Sequence, residues 1–176
     1  MKEIFVIAGP NGAGKTTTAQ ILLPDYLTVN EYVNADLLAH ALSPFRPETV
    51  AIQAGRLMLD RIHQLIEEDK SFAFETTLAS RSFVPLLKQC KAEGYKINLI
   101  FLWLHSVELA IQRVKFRVEY GGHAIPIETI ARRYKRGLEN LFGLYMPIVN
   151  HWSLYDNSGS FPEIISEKKF FILLKS

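Results

Sequence analysis

The 176-residue sequence has one cysteine, no long apolar run and little net charge. A single cysteine excludes an internal disulfide bond, and Cys90 falls in an apolar helical pattern, so we expect it to be a small buried residue in a reducing compartment. No apolar run approaches the ~18 residues of a membrane span, and the sequence enters a strand pattern without a signal peptide. We therefore expect a cytoplasmic protein with no membrane partner.

The formal net charge of +2 is too small to indicate a nucleic-acid-binding surface over the whole chain. The charge is nevertheless uneven, because residues 111–136 contain seven basic and two acidic residues. This window indicates a local anion site, although a solvated basic face would look the same. With 48% hydrophobic and 22% charged residues and no internal repeat, the sequence predicts one domain over residues 1–176.

A glycine-rich stretch near the N-terminus matches the P-loop pattern G-x-x-x-x-G-K-[ST] from Gly9 to Thr16. Such glycines let successive N–H groups turn toward a phosphate, while Lys15 supplies a charge and Thr16 a hydroxyl for Mg²⁺. A flexible turn is the alternative, but the pattern of strand, loop and helix around it is the one that a phosphate site requires. The predicted nucleotide-binding residues here are Gly9, Pro10, Asn11, Gly12, Ala13, Gly14, Lys15, Thr16 and Thr17.

Strand and helix patterns alternate along the chain. Apolar runs predict strands over 4–8, 31–34, 71–75, 96–104 and 152–155, and helical periodicity predicts helices over 17–23, 48–69, 81–93, 107–120 and 126–145. This order predicts an α/β fold of the P-loop hydrolase and kinase type, with a mainly parallel sheet of about five strands and helices on both faces. The tail over 168–174 fits an edge strand or a short helix.

Two carboxylates follow strand patterns. Asp36 comes just after the second strand and Glu75 ends the third, where ligands bind in open α/β sheets. One of them could act as general base while the other positions metal or substrate, and Glu75 occupies a Walker-B type of position. Alternatively, Asp36 caps a helix that begins at Leu37, and Glu75 is a capping or surface carboxylate.

The basic window contains two arginine pairs at i,i+4 spacing, Arg113 with Arg117 and Arg132 with Arg136. Like charges at this spacing repel on a bare helix and tolerate each other best around an anion. We therefore expect a helical lid over about 113–145 that carries arginines to a transferring phosphoryl group, with Gly121-Gly122 as its hinge.

Several motifs in this order resemble the zeta toxin family of P-loop kinases. They are the P-loop, Asn34-Ala35-Asp36, Phe74-Glu75-Thr76-Thr77, the Arg113/Arg117 helix, Gly121-Gly122-His123 and Tyr155-Asp156-Asn157-Ser158. The resemblance implies ATP and Mg²⁺ as cofactors, a sugar hydroxyl of UDP-N-acetylglucosamine as acceptor, and a candidate antitoxin as protein partner. The chain looks like a compact, stand-alone branch, and it lacks the arginine that often follows the family's aspartate.

The resemblance also implies roles for individual residues. Asp36 would be the general base, and Lys15, Arg117 and Arg133 would neutralise the transferring phosphoryl. Nucleotide contacts would come from Arg113, Arg132 and Asn157, the last in a turn flanking the adenine. Contacts to the acceptor would come from Asp36, Glu75, Thr77 and Arg81.

Two other interpretations stay open. The same scaffold could phosphorylate a nucleoside, a sugar or a polynucleotide end, or it could be an ATPase switch that works through a partner protein. An ATPase subunit of the ABC type would need a Leu-Ser-Gly-Gly signature, which is absent from the sequence. A nucleic-acid acceptor would call for aromatic residues among the basic ones. Phe116, Tyr120 and Tyr134 meet that condition, but helix-core roles explain them equally well, so we do not expect nucleic acid.

Overall fold

The computed structural model describes residues 2–25, 27, 29–122 and 124–168. His123, next to the predicted hinge, and residues 169–174 of the tail lie outside the described residues.

Strands and helices alternate as the periodicity predicts. The strands are β1 (Glu3–Ala8), β2 (Tyr32–Val33), β3 (Phe72–Thr76), β4 (Lys96–Trp103), β5 (His151–Asp156) and β6 (Glu163–Lys168). The helices are α1 (Lys15–Asp25), α2 (Ala35–Leu42), α3 (Ala51–Glu67), α4 (Phe83–Ala92), α5 (Val107–Glu119) and α6 (Ile127–Asn140). A 3₁₀ turn (Pro47–Val50) precedes α3, and a π-helical turn (Leu141–Tyr145) follows α6.

The strands form one sheet in the order β2-β3-β1-β4-β5-β6, in which every neighbouring pair is parallel except β5 and β6. The α/β class and the mainly parallel sheet are therefore confirmed. In the described part of the chain the number of strands differs from the prediction, because the antiparallel β6 adds a sixth. All six residues of β6 are exposed, so no buried apolar run marks it in the sequence.

Each face of the sheet has its own apolar core. Ile4, Val6, Phe72 and Phe74 face a core that includes residues of α3 and α4. Phe5, Ile7 and Ala73 face the other core, which includes residues of α1, α5 and α6. Since successive strand residues point to opposite faces, Glu75 follows Ala73 toward the face that α1 covers. Cys90 is buried in the first core, as predicted.

The loop after β3 is held by α6 and the turn that follows it. The Asn140 side-chain amide donates to the carbonyl of Leu78 at 2.7 Å, and the Tyr145 hydroxyl donates to the carbonyl of Ser80 at 2.6 Å. Leu78 is fully buried at φ +57°, a backbone conformation that is costly for a leucine. These contacts fix the loop that forms one wall of the site described below.

Replacing Tyr145 by phenylalanine tests this support. The substitution removes a part-buried hydrogen bond to the Ser80 carbonyl, and such a loss costs about 0.5–1.5 kcal/mol in the free energy of unfolding. Urea denaturation should show this decrease, whereas Tyr120→Phe, at a side chain that is 76% exposed, should change stability little. Equal effects of the two variants would contradict this role of the Tyr145 hydroxyl.

Candidate active site

The P-loop joins β1 to α1 and curls tightly over the sheet. Gly9, Gly12 and Gly14 all have positive φ, at +147°, +80° and +81°. A side chain on Gly9 would also collide with the backbone carbonyl of Leu102 in β4. Glycine is therefore required here by both backbone angle and close approach, and the loop lies directly on the carboxyl ends of the central strands.

Lys15 begins α1 and points into the loop. Its side chain is 7% exposed, and its ammonium donates to the carbonyl of Pro10 at 3.0 Å and lies 3.7 Å from Glu75 Oε1. Burial lowers the pKa of Lys15, while the charges of Glu75 and Asp36 oppose this shift and those of Arg117 and Arg133 add to it. A buried cation surrounded by further cations is poised to bind an anion.

Glu75 is the centre of a polar network at the end of β3. Its Oε2 accepts hydrogen bonds from the Thr16 hydroxyl at 2.8 Å, the Tyr32 hydroxyl at 2.6 Å and the Asn34 amide at 2.9 Å. Burial, followed by the adjacent Glu75 charge, raises the pKa of Tyr32 well above its usual range, so Tyr32 stays a donor. The network joins β2, β3 and α1 at one carboxylate.

The Thr16 hydroxyl and the Glu75 carboxylate suit Mg²⁺, which prefers oxygen ligands and is usually held by one or two protein groups together with nucleotide phosphates. Within the described residues, no cluster of three His, Cys, Asp or Glu side chains could hold a metal ion. Two oxygen donors from the protein fit a metal whose other ligands come from nucleotide phosphates and water.

Asp36 lies in the first turn of α2. The predicted alternative, in which Asp36 caps this helix, is wrong, because Asn34 is the N-cap and its side chain accepts from the backbone N–H groups of Asp36 and Leu37. The Asp36 side chain is thus left to face the site, where it lines both cavities described next.

Two cavities meet in front of the P-loop. The smaller, of about 200 Å³, is lined by Gly12, Gly14, Thr16 and Thr17 of the P-loop. The larger, of about 660 Å³, extends away toward α3, α6 and the loop after β3. Four residues line both cavities: Asn11, Lys15, Asp36 and Glu75. Asn11 is 6% exposed, and its side-chain oxygen has no hydrogen-bond partner within the described residues.

The arginines divide between these cavities. Arg113 and Arg117 of α5 line the smaller one, and Arg132 and Arg133 of α6 line the larger one together with Thr77. The structure does not bring Arg81 to either. Arg81 lines a neighbouring cavity of about 440 Å³, which shares Ala79 and Arg136 with the larger cavity.

Arg113 and Asn157 support the loop after β5. The Arg113 guanidinium donates to the carbonyls of Asn157 and Ser158 at 2.8 and 2.9 Å. The Asn157 amide donates to the carbonyl of Ala13 in the P-loop at 2.7 Å. Both side chains therefore hold the 157–159 loop against the P-loop, and the role that the resemblance implies for them in nucleotide binding stays a prediction.

Sequence reasoning gave no role to several residues of the site. They are Tyr32, Asn34 and Arg56. An asparagine just before a helix is a typical N-cap, so the capping role of Asn34 could have been predicted from the sequence. Tyr32 lies on a two-residue strand and Arg56 on the exposed side of α3, and neither position has a periodicity that points to a ligand.

The fold and the site define a P-loop kinase-type phosphotransferase. The family model for the zeta toxins matches residues 1–160, so the chain belongs to the zeta toxin family. An uncharacterised protein of Haemophilus influenzae is 31% identical over 133 residues, which are 76% of this chain and 92% of that protein. None of the helices in the described part of the chain is long and apolar enough to cross a membrane.

Solved structures share this fold at low sequence identity. The PezAT toxin–antitoxin system of Streptococcus pneumoniae matches with a TM-score of 0.67 and 16% identity, over 95% of this chain and 72% of that chain. The AvrRxo1-ORF1:-ORF2 structure with ATP matches with a TM-score of 0.71 and 16% identity, over 95% of this chain and 58% of that one. Shikimate kinase from Acinetobacter baumannii, at 20% identity, matches with a TM-score of 0.51 over 86% and 82% of the two chains.

The lowered pKa of Lys15 predicts a pH dependence of nucleotide binding. Bound polyphosphate favours the ammonium form and raises the pKa again, so ATP binding takes up a proton wherever free Lys15 is neutral. The dissociation constant for ATP should therefore increase as the pH rises above the lowered pKa, which lies below the ordinary value of 10.5. Calorimetric titration over this range should show the increase. Lys15→Met should bind ATP weakly, and its dissociation constant should not increase over the same pH range. If the dissociation constants of the wild type and of Lys15→Met changed with pH in the same way, Lys15 would not be the group responsible.

Proposed function

We propose that the protein transfers the γ-phosphate of ATP to a hydroxyl group of a small-molecule acceptor, with UDP-N-acetylglucosamine as the leading candidate. The observation that carries this proposal is the meeting of the two cavities at Asp36, Glu75 and Lys15. A phosphate pocket that opened only to water would suffice for an ATPase. An adjoining cavity of about 660 Å³ is large enough for a second substrate.

In this mechanism Asp36 accepts the proton of the acceptor hydroxyl. The acceptor oxygen forms a bond to the γ-phosphorus as the bond between that phosphorus and the β,γ-bridging oxygen breaks, and ADP leaves. The position of Asp36 at the boundary of the two cavities suits this role, because the proton must be removed where the acceptor meets the phosphate.

Thr16 and Glu75 would hold Mg²⁺ with the nucleotide phosphates. A bound Mg²⁺ neutralises charge on the β- and γ-phosphates. Tyr32 and Asn34 orient the Glu75 carboxylate through their hydrogen bonds to Oε2. Lys15, Arg117 and Arg133 would stabilise the charge of the transferring phosphoryl group. In the free protein the charges of Arg117 and Arg133 help to lower the pKa of Lys15, which supports the proposal that the three cations surround one anion.

The acceptor cavity favours an anionic acceptor. Arg56, Arg132, Arg133 and Arg136 line it, and within the described residues none of them has an ion pair with a carboxylate. Asp36 and Glu75, the acidic residues of the same cavity, lie at its phosphate end. Unpaired guanidinium groups at the other end suit the diphosphate of a nucleotide sugar, since arginine binds phosphate through several parallel hydrogen bonds.

We also propose one domain over residues 1–176, with the segment 113–145 acting as a lid, and an antitoxin as a protein partner. The antitoxin is supported by membership of the zeta toxin family and by the likeness to the PezAT toxin–antitoxin system. The arginines carried by α5 and α6 support the lid, because closure would bring them around the bound phosphates.

A polynucleotide end is the second candidate acceptor. Phe116 on α5 and Tyr120, which directly follows α5, are 60% and 76% exposed, and their ring centroids lie 4.8 Å apart beside basic residues. Exposed aromatic side chains can stack on bases. Tyr134 does not support this candidate, because its hydroxyl donates to the Leu104 carbonyl and its ring packs against the core.

The acceptor is tested by incubating the protein with Mg²⁺-ATP and UDP-N-acetylglucosamine and measuring products by mass spectrometry. We expect a phosphorylated nucleotide sugar from the wild type and none from Lys15→Ala. A parallel reaction with a 5′-hydroxyl oligonucleotide tests the second candidate. If ATP is consumed equally with and without either acceptor, the acceptor assignment is wrong.

The base is tested by Asp36→Asn, which keeps the shape of the side chain and removes its basicity. We expect kcat for transfer to fall on the order of 10²–10⁴-fold, as is typical when a general base is lost, while ATP affinity is retained. Rapid-quench measurement of transfer and calorimetric titration of ATP separate the two effects. Undiminished turnover would remove Asp36 from this role.

A further inference from the structure

One face of α3 forms a wall of the large cavity. The residues that it contributes are Ile52, Gly55, Arg56, Met58 and Leu59. Ile52 and Leu59 stand three residues before and four residues after Gly55, so the three lie along one side of the helix. The helix therefore presents an apolar strip whose middle position has no side chain.

The fold itself does not require glycine at position 55. Gly55 has no positive φ, and a Cβ added there would meet no atom within 4 Å. A glycine inside a helix costs roughly 0.5–1 kcal/mol relative to alanine. Neither the backbone angle nor the packing therefore explains why this residue is a glycine. What distinguishes the position is the open space in front of it, inside the large cavity.

We infer that Gly55 is a specificity-determining residue, at which the bare helix backbone leaves room for a ring of the acceptor. The inference rests on the proposed function and deepens it. Ile52, which is 78% exposed, and Leu59 would contact the apolar face of a sugar or base ring. The neighbouring Arg56, together with Arg132 and Arg136, would bind the acceptor's anionic group. The acceptor class is thus a molecule with both a ring and a phosphate or carboxylate.

The experiment compares Gly55→Ala and Gly55→Leu with the wild type and with Gly143→Ala as a matched control. Gly143 also lies in a helical turn where a Cβ would meet nothing within 4 Å, and it does not line the large cavity. Transfer from ATP labelled at its γ-phosphate is measured with UDP-N-acetylglucosamine and with a low-molecular-weight extract of bacterial cells as acceptor probes. Thermal unfolding and the dissociation constant for ATP are measured in parallel.

We expect Gly55→Leu to raise the KM for the acceptor roughly tenfold or more, since even one added methylene matters in a fitted pocket. Gly55→Ala should have a smaller effect on KM and should raise the unfolding midpoint, as helix propensity predicts. The dissociation constant for ATP should stay unchanged in both variants. Gly143→Ala should leave acceptor KM unchanged.

A wild-type KM in Gly55→Leu would overturn the inference while leaving the kinase proposal intact. A Gly55→Ala variant less stable than the wild type would also overturn it, because the fold would then require the glycine. If the wild type labels no molecule in either probe, the proposed function fails, and the inference fails with it. The presence of labelled product from the wild type therefore shows whether the proposed function has failed or only the inference about Gly55.

Discussion

The site is built around the buried charge of Lys15. A cation that is 7% exposed loses most of its hydration, and the Pro10 carbonyl and the charges of Glu75 and Asp36 compensate this loss only in part. Arg117 and Arg133 make the position still less favourable for an ammonium group. A bound polyphosphate would offset both the lost hydration of Lys15 and its repulsion by the two arginines. We therefore expect Lys15 to be less favourable for the free energy of folding in the free protein than in the complex with nucleotide.

Glu75 extends this constraint to the rest of the sheet. One carboxylate that faces Lys15 and accepts from Thr16, Tyr32 and Asn34 fixes the end of β3 relative to β2 and α1. Its burial is tolerated because several donors satisfy it. Asn34 has a second effect, since capping α2 with its side-chain oxygen leaves Asp36 facing the cavities. A few hydrogen bonds therefore couple the positions of Lys15, Thr16 and Asp36, the residues proposed to serve the phosphate, the metal and the base step.

The parts of the molecule that follow from local pattern could be predicted from the sequence. The alternation of strand and helix patterns predicted the parallel sheet. Because ligands bind at the carboxyl ends of parallel strands, the sequence also predicted that Asp36 and Glu75 lie near the P-loop. The direction of the arginines could not be predicted, because helical spacing does not say what packs against each face. Arg113 is the clearest example: it turns to the carbonyls of Asn157 and Ser158, a loop 44 residues away in sequence. The exposed β6 was missed because it has no buried apolar run.

In the proposed function, the nucleotide phosphates and the acceptor are bound largely by different elements, although Asp36 and Glu75 line both cavities and Arg133 of α6 serves the transferring phosphoryl group. The P-loop, α1 and α5 contribute most of the lining of the small cavity, whereas α3, α6 and the loop after β3 contribute most of the lining of the large one. We therefore expect substitutions on the cavity face of α3 to change the acceptor without disturbing the residues proposed to bind the nucleotide. For the same reason, membership of the zeta toxin family defines a phosphotransferase more firmly than it defines an acceptor, because the shared P-loop features belong to the first set of elements. We therefore expect the arginines of the large cavity, together with Gly55 on α3, to determine the acceptor of this chain.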